Sequence, residues 1–270
     1  MKRKAVQLNT ANRRNFLKGA GLTGLSLAGA AIMGSTLPAH AQDADAALAV
    51  SDIDILNFAL NLEYLEAEFY AKSTFGATLV QLGVITTADQ TGPTTGGNMV
   101  PNFGSSPQAT LATGLRNDEI NHVKYLRSVL GSRAVKKPAI NLNAKGYGFS
   151  SVASWLKLGA QFEDVGMSAY LGATPLITSK TYLAAAGAIL ATEGQHEGAL
   201  RLACIMNGVT VPALDAVDVP PTSKTPFLVD KNGLSIPRTT AQVLNIVYAG
   251  GKCAGGFFPN GMNGTIVCQS

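Results

Sequence analysis

Two short segments decide the fold: residues 118–122, Asp-Glu-Ile-Asn-His, and residues 192–196, Thr-Glu-Gly-Gln-His. Each segment places a histidine three residues after a glutamate, and this spacing brings a carboxylate and an imidazole to one face of a helix. The chain has three histidines, and the remaining one, His40, lies near the N-terminus. Both histidines beyond residue 41 therefore occur in the same motif, which predicts a shared role for the two segments.

Both segments lie within stretches of helical periodicity, and two further stretches complete a set of four. Serine or proline at the start and glycine or proline near the end mark the limits of most of these stretches. We predict helices over residues 51–73, 107–130, 150–174 and 179–207. A short fifth helix is predicted over residues 239–248, and convincing strand alternation is lacking.

The connections favour an antiparallel four-helix bundle with one long crossover. The turn at 175–178 is tight, so the third and fourth helices are predicted to be an antiparallel pair. The 132–149 connection extends to about 60 Å at ~3.3 Å per residue, which exceeds the ~36 Å length of a helix of about 24 residues. We predict an all-α chain in which residues 42–208 form the bundle and an irregular Pro/Gly-rich extension, residues 209–270, packs on it.

A glutamate interrupts the apolar seam of every predicted bundle helix. Glu63 and Glu163 lie in the first and third helices, while Glu119 and Glu193 belong to the two Glu-x-x-His motifs. Each lies about 12 to 15 residues into its helix, so the four carboxylates are expected to meet near the middle of the bundle. Burying even one unpaired carboxylate costs several kcal/mol. Their convergence therefore predicts a positively charged partner inside the bundle.

Metal ions are the partner that best fits this set of side chains. Four carboxylates would balance two divalent ions, and the two imidazoles would complete their shells. Oxygen-rich ligands with one nitrogen per ion suit iron or manganese better than zinc. The predicted metal ligands are Glu63, Glu119, His122, Glu163, Glu193 and His196.

Other side chains on these helices are candidates for supporting roles. Glu66 lies on the core side of the first helix and is either a further ligand or, as we favour, a solvated group or one beside the ligands. Asp118 is expected to orient an imidazole or to face solvent, and Glu68 and Glu197 to lie at the surface or beside the ligands. For three tyrosines, Tyr70, Tyr125 and Tyr170, we favour core packing over a place near the metals as hydrogen-bond donors or redox-active groups.

The N-terminal 41 residues explain the basic character of the chain. The 270 residues are 46% hydrophobic and 14% charged, with a net charge of +4. Residues 1–41 hold six lysines and arginines and no acidic residue, so residues 42–270 carry 15 basic and 17 acidic side chains and a net charge of −2. This removes the argument for a nucleic-acid partner. The composition also excludes disordered and collagen-like chains.

The same N-terminal region has the order of a cleavable export signal. Residues 12–18, Asn-Arg-Arg-Asn-Phe-Leu-Lys, resemble the twin-arginine export motif, and a small-residue apolar stretch and Ala39-His40-Ala41 follow. The apolar stretch is marginal for a transmembrane span. We therefore expect cleavage after Ala41 and a bacterial periplasmic or secreted protein without membrane attachment. An oxidising compartment would permit a disulfide between Cys253 and Cys268, which the sequence leaves open.

Residues 57–70, Asn-Phe-Ala-Leu-Asn-Leu-Glu-Tyr-Leu-Glu-Ala-Glu-Phe-Tyr, carry a resemblance to a known family. Together with residues 230–234 and 255–261, they resemble the branch of the ferritin-like superfamily that contains plant desiccation-related proteins. Bacterioferritins, rubrerythrins and manganese catalases belong to the same superfamily. The resemblance implies a dinuclear carboxylate site in which Glu119 and Glu193 bridge the two ions, while the other ligands are Glu63, Glu163, His122 and His196.

The resemblance implies an activity less sharply than it implies the site. We expect an exported protein that holds two iron or manganese ions and performs redox chemistry on O2 or H2O2 in stress protection. Two alternatives stay open: metal sequestration without turnover, and a structural protein that protects against desiccation or stress. A homo-oligomer also stays open. The long 74–106 loop and the C-terminal extension depart from the bacterioferritin pattern, which makes a storage cage unfavourable.

Overall fold

The computed structural model describes residues 50–100, 103–104 and 106–269. The predicted signal peptide, residues 1–41, lies outside this described part. The predicted all-α architecture is confirmed: the described residues form five α-helices and a small sheet of two strands. The four bundle helices are α1 (Asp52–Phe75), α2 (Pro107–Leu130), α3 (Val152–Ala173) and α4 (Lys180–Met206), and the short helix is α5 (Thr240–Val247).

A serine side chain begins every bundle helix. Ser51 caps α1 in a capping box with Asp54, and Ser106, Ser151 and Ser179 accept hydrogen bonds from backbone amides in the first turns of α2, α3 and α4. Such caps satisfy amides that have no partner within the helix. Gly76 ends α1 in the left-handed conformation, with a φ of 67°. The predicted limits of the four helices are therefore correct to within about two residues, because the caps that set them are local.

Contacts across the bundle give the direction of its helices. Near the start of α1, Asn57 donates a hydrogen bond to the carbonyl of Arg133, just beyond the end of α2. The Cys204 thiol, near the end of α4, donates to the carbonyl of Leu156, near the start of α3. α1 with α2 and α3 with α4 are therefore antiparallel pairs, and the chain between α2 and α3 runs back along the bundle.

The crossover and the first loop are joined by a short parallel ladder. Strand β1 (Thr94–Thr95) of the first loop pairs with strand β2 (Ile140–Asn141) of the crossover. These strands are two residues long, which is why no alternation announces them in the sequence. A 3-10 turn, Thr87–Asp89, precedes the ladder, and Asp89 forms an ion pair with Arg127 of α2 at 2.6 Å. The first loop is thus tied both to the crossover and to the bundle.

α1 is covered on its outer side as well as on the side that faces the other helices. The Nδ2 atom of Asn61 donates to the carbonyl of Asn263 in the C-terminal extension, and the Tyr64 hydroxyl donates to the carbonyl of Val135 in the crossover. Glu68 is fully buried, 3.9 Å from the Nζ atom of buried Lys137. The expectation that Glu68 lies at the surface or beside the ligands is therefore wrong, because the crossover returns over this face.

The C-terminal extension is fixed to α3 and α4 by two buried arginines. Arg201 of α4 donates to Asp164 of α3 at 2.8 Å and to the carbonyls of Val219 and Pro226 in the extension. Arg238, in the extension, donates to the carbonyl of Asp164 and to the Ser168 hydroxyl. We call the side chains of this network the arginine cluster: Asp164, Ser168, Glu197, Arg201, Asp215 and Arg238.

Two further features of the extension bear on the predictions. Cys253 and Cys268 form a disulfide, while Cys204 is a buried free thiol. Glu197 is buried against Arg201, at 3.3 Å, and accepts a hydrogen bond from the backbone of Leu228, so it does not lie at the surface. Within the described part of the chain, the helices are either too short or too polar to span a bilayer.

Candidate metal centre

The bundle brings all six predicted ligands to one buried place. α1 and α3 contribute one glutamate each, and α2 and α4 contribute one glutamate and one histidine each. The four glutamates are fully buried, and His122 and His196 are 9% and 7% exposed. Each glutamate lies a similar number of residues into its helix, as the sequence showed. Because the helices pack antiparallel and side by side, these positions come into contact.

The ligands divide into two groups that share two members. We call Glu63, Glu119, His122 and Glu193 the His122 group, and Glu119, Glu163, Glu193 and His196 the His196 group. Within each group, one ligand atom from every residue lies within 4.8 Å of those of the other three. Glu119 and Glu193 belong to both groups, which is the position that a bridging carboxylate requires.

Distances around each imidazole match those between ligands of one ion. The Nδ1 atom of His122 lies 3.3 Å from Glu63 Oε2, 3.1 Å from Glu119 Oε2 and 3.4 Å from Glu193 Oε1. The Nδ1 atom of His196 lies 2.9 Å from Glu119 Oε1 and 3.3 Å from Glu163 Oε2. Two ligands at right angles around an ion, with bonds of about 2.1 Å, lie about 3.0 Å apart.

Hydrogen bonds account for only part of these short distances: His122 Nδ1 is hydrogen-bonded to Glu119 Oε2 at 3.1 Å. Glu119 Oε1 and His196 Nδ1 are 2.9 Å apart, yet both atoms lack a hydrogen-bond partner. In the described part of the chain, eight buried side-chain polar atoms lack a partner, and six of them belong to the predicted ligands. Buried polar atoms are rarely left without partners. Here six of them belong to two groups whose ligand atoms lie within 4.8 Å of one another, so the donor set fits a bound cation.

Burial and mutual repulsion among the glutamates shift the pKa values of candidate ligands. Burial and the charges of Glu119 and Glu163 raise the pKa of Glu193 well above its usual range. Burial, Glu163 and Glu63 raise the pKa of Glu119 to about 7. Burial opposes the charged form of His196, but its contacts with Glu119 and Glu163 outweigh burial and raise its pKa to about 12. In the absence of a metal, protons take the place of the missing positive charge.

Two tyrosines hold carboxylates from the opposite helix. The Tyr70 hydroxyl of α1 donates to Glu163 Oε1 of α3 at 2.5 Å, and the Tyr170 hydroxyl of α3 donates to Glu63 Oε1 of α1 at 2.5 Å. Both hydroxyls stay protonated, since burial and the neighbouring carboxylates raise the pKa of Tyr70 and of Tyr170 well above the usual range. Each leaves the other oxygen of its glutamate free of hydrogen bonds.

Tyr125 does not join these two tyrosines. It lies on the surface with 46% of its area exposed. The expectation of a place in the core or near the metals is wrong for Tyr125. Tyr125 lies three residues after His122, to one side of the buried face of α2, which continues through Leu126. Tyr70 and Tyr170 lie seven residues, or two turns, after a ligand on the same helix and therefore stay on the buried face.

Asp118 and Glu66 lie against the ligands. Asp118 Oδ2 accepts a hydrogen bond from His196 Nε2 at 3.2 Å, which directs Nδ1 of that ring into the cluster. Glu66 is buried, and burial together with the charges of Glu193 and Glu163 raises its pKa well above the usual range. Glu66 belongs to neither four-residue group. Its burial excludes a solvated position, and a place beside the ligands, in preference to that of a ligand, stays a prediction.

Sequence reasoning missed the arginine cluster beside this site. Asp164 directly follows Glu163, and its partner Arg201 lies a turn beyond His196 on α4. The one signal was Arg201, which lies between Leu200 and Leu202 in an apolar stretch, but its partners come from distant parts of the chain. The spacing of residues within one helix does not reveal such pairs.

The sequence matches a known family and is similar to known proteins. The family described as ferritin-like domain matches residues 51–205, more than half of the chain. The chain is 24% identical to "Ferritin-like catalase Nec2" of Nesocodon mauritianus, over 80% of this chain and 85% of that protein. It is 25% identical to "Desiccation-related protein PCC13-62" of Craterostigma plantagineum, over 56% of this chain and 52% of that protein. The chain therefore spans about half the length of the second relative.

Proposed function

This chain belongs to the ferritin-like domain family, and on that basis we propose that it is an exported dinuclear metal protein that converts hydrogen peroxide to oxygen and water. The proposed cofactors are two divalent iron or manganese ions, one in the His122 group and one in the His196 group. The observation that carries the proposal is the set of six buried, unpartnered atoms on ligands that form two overlapping groups within 4.8 Å.

The likeness to a ferritin-like catalase supports peroxide as the substrate. Two redox-active ions, when bound, would exchange electrons with the substrate. The net reaction consumes two molecules of H2O2 and yields one O2 and two H2O. The small, buried site suits a substrate of this size.

The side chains of the chain itself have defined tasks in this proposal. Glu119 and Glu193, which belong to both groups, would hold both ions, and each of the remaining ligands would hold one. Tyr70 and Tyr170 keep Glu163 and Glu63 in place through the hydrogen bonds described above. The surrounding apolar core excludes bulk water, which strengthens the attraction between carboxylate and cation.

Export through the twin-arginine route is proposed from the N-terminal motif. That route carries folded proteins, so metal would be inserted before export. The Cys253–Cys268 disulfide supports an oxidising final compartment. The matching test follows the full chain in bacterial fractions: replacement of Arg13 and Arg14 by lysine is expected to retain it in the cytoplasm, and unchanged export would contradict the proposed route.

The catalytic proposal is tested by loading the metal-free protein with Mn²⁺ or Fe²⁺ and measuring O2 release from H2O2. We expect release from the loaded protein and none above background from the Glu119→Ala/His196→Ala double variant. Lys124→Met, a change of one exposed charge on α2, is the matched control. A loaded protein that holds two ions and consumes no peroxide would contradict the catalytic proposal and favour sequestration.

A second candidate function is protection of other proteins during drying. The likeness to a desiccation-related protein favours it. If the bundle itself protects, a client enzyme dried with the chain keeps its activity equally well with the wild-type protein and with the Glu119→Ala/His196→Ala variant. Loss of protection in the variant would contradict a purely structural role.

A further inference from the structure

We call the six candidate ligands together the metal cluster. Its two halves, the His122 group and the His196 group, are related by an approximate twofold symmetry. The relation matches Glu63 and Tyr70 of α1 with Glu163 and Tyr170 of α3. It also matches the two Glu-x-x-His motifs of α2 and α4. Under this relation each tyrosine donates to the glutamate of the opposite helix, and each imidazole is directed by Nδ1 towards the shared carboxylates.

Two pairs of matched positions break the relation. Glu66, three residues after Glu63, corresponds to Gly166, three residues after Glu163. Asp118, directly before Glu119, corresponds to Thr192, directly before Glu193. In each pair one half of the site has a carboxylate and the other half has none.

The first break is built into the packing of α1 against α3. A Cβ atom at Gly166 would lie 2.9 Å from Glu66 Oε1 and closer still to Glu193 Oε2. Both distances are shorter than real Cβ contacts, so the missing side chain leaves the space that the two carboxylates occupy. Glu66 therefore reaches across the twofold relation towards α3, the helix that supplies Glu163.

The second break concerns the outer nitrogen of each imidazole. His196 Nε2 donates to Asp118 Oδ2 at 3.2 Å. His122 Nε2 has no hydrogen-bond partner among the described residues, and Thr192 Oγ1 donates to the carbonyl of Ala188 on its own helix. A carboxylate on the outer nitrogen fixes the tautomer of a ligand histidine and raises its basicity, and its loss typically costs about 10- to 100-fold in metal affinity.

Both extra carboxylates, Asp118 and Glu66, therefore serve the same half of the site. We propose that the His196 group binds a divalent ion more tightly than the His122 group, so that the two ions bind in order and the His122 position is the exchangeable one. This inference deepens the proposed function and rests on it, because it presupposes that both groups bind metal.

The test is a titration of the metal-free full chain with Mn²⁺, in which the signal of free Mn²⁺ is followed by electron paramagnetic resonance. We expect two steps whose dissociation constants differ by about 10-fold or more, as expected from the effect of one outer carboxylate. A crystal grown with one equivalent of Mn²⁺ is expected to show its anomalous peak at the His196 group.

Matched variants exchange the residues that break the symmetry. Asp118→Thr copies Thr192 and is expected to weaken the tighter step by about 10- to 100-fold. The Asp118 side chain is half exposed, so this change is compatible with folding. Thr192→Asp, the reverse exchange, is expected to tighten the weaker step, and Glu66→Gln is expected to weaken the tighter one while leaving the shape of the site unchanged.

The outcomes separate this inference from the proposed function. Two ions that bind with equal affinity, a first ion at the His122 group, or an Asp118→Thr variant that weakens only the second step would overturn the inference alone. A chain that binds no Mn²⁺ under these conditions would overturn the proposed function and the inference with it.

Discussion

The metal cluster and the arginine cluster lie next to each other on α3 and α4. They differ in whether their buried charged groups have partners within the protein. In the arginine cluster, Arg238 makes a bidentate contact with Asp215 at 3.0 and 3.1 Å, and Arg201 donates to Asp164 at 2.8 Å and opposes the rise that burial causes in the pKa of that carboxyl, which is about 8. One oxygen, Asp164 Oδ1, lacks a partner there, against six atoms among the ligands. Apart from that one oxygen, the arginine cluster is complete as folded and stabilises the fold. The metal cluster is incomplete without a cation, which is the physical sign of a binding site.

The largest expected effect is the loss of a partner from the complete cluster. Arg201→Met leaves Asp164 buried without its counter-charge and is expected to lower the free energy of unfolding by about 3–5 kcal/mol. The loss should be equal with and without metal, as measured by urea unfolding. Lys124→Met is the control and is expected to change stability by less than about 0.5 kcal/mol. A loss confined to the metal-loaded protein would show that the two clusters are not independent.

A substitution in the incomplete cluster should act in the opposite direction. Both carboxylate oxygens of Glu193 are buried without partners. Burial and the neighbouring carboxylates raise the pKa of Glu193, so folding without metal must either bury its charge or protonate it. Glu193→Gln removes this cost, and the metal-free protein is expected to become more stable by about 1–3 kcal/mol at pH 8. The same variant should bind metal more weakly, which a parallel titration measures. Destabilisation of the metal-free protein would contradict the comparison, because it would place Glu193 in a satisfied network.

The pH dependence of stability should also distinguish the metal-free site from the loaded one. Glu119 has a folded pKa of about 7 against its ordinary 4.5, so between these values the native state holds a proton that the unfolded chain releases. His196 has a folded pKa of about 12 against 6.5, so its stabilising contribution is complete below pH 6.5 and is lost as the pH rises towards 12. Both effects make the metal-free protein less stable as the pH rises from 5 to 8.

Each additional proton held by the native state corresponds to about 1.4 kcal/mol per pH unit. Urea unfolding in a chelator at pH 5 to 8 measures the slope. Metal displaces these protons, so the stabilisation by Mn²⁺ is expected to grow over the same range. Metal-free stability that rises with pH would contradict the assigned electrostatics.

The smallest expected effect concerns the tyrosines that hold the ligands. Tyr70→Phe removes one hydrogen bond to Glu163 and is expected to lower the free energy of unfolding of the metal-free protein by about 1–2 kcal/mol. The exposed tyrosine provides a matched control, since Tyr125→Phe should leave stability unchanged within error. Equal effects of the two variants in urea unfolding would remove the distinction between them.

The helices and the candidate ligands could be predicted because both depend on the spacing of residues within one helix. The helices follow from serine caps and apolar periodicity, and the six candidate ligands follow from Glu-x-x-His and from glutamates at matching depth. The predicted position of Glu68 is wrong because its partner Lys137 lies in the crossover, about 70 residues further along the chain. Contacts that join distant segments, such as Arg238 with Asp164, leave no periodic trace along one helix.

The same reasoning explains the break in symmetry. Glu66 and Asp118 are visible in the sequence, but their shared side of the site is set by the packing of Gly166 and by the direction of the His196 ring. Neither can be read from spacing alone.

Metal content is the most direct test of the central claim. Elemental analysis of the full chain, isolated from its native compartment and also reconstituted with Mn²⁺ or Fe²⁺, should give about two ions per chain, as the dinuclear ligand set requires. The Glu119→Ala/His196→Ala variant should give close to none. Fewer than about one transition-metal ion per chain in repeated wild-type preparations, below even half of the dinuclear stoichiometry, would contradict the account.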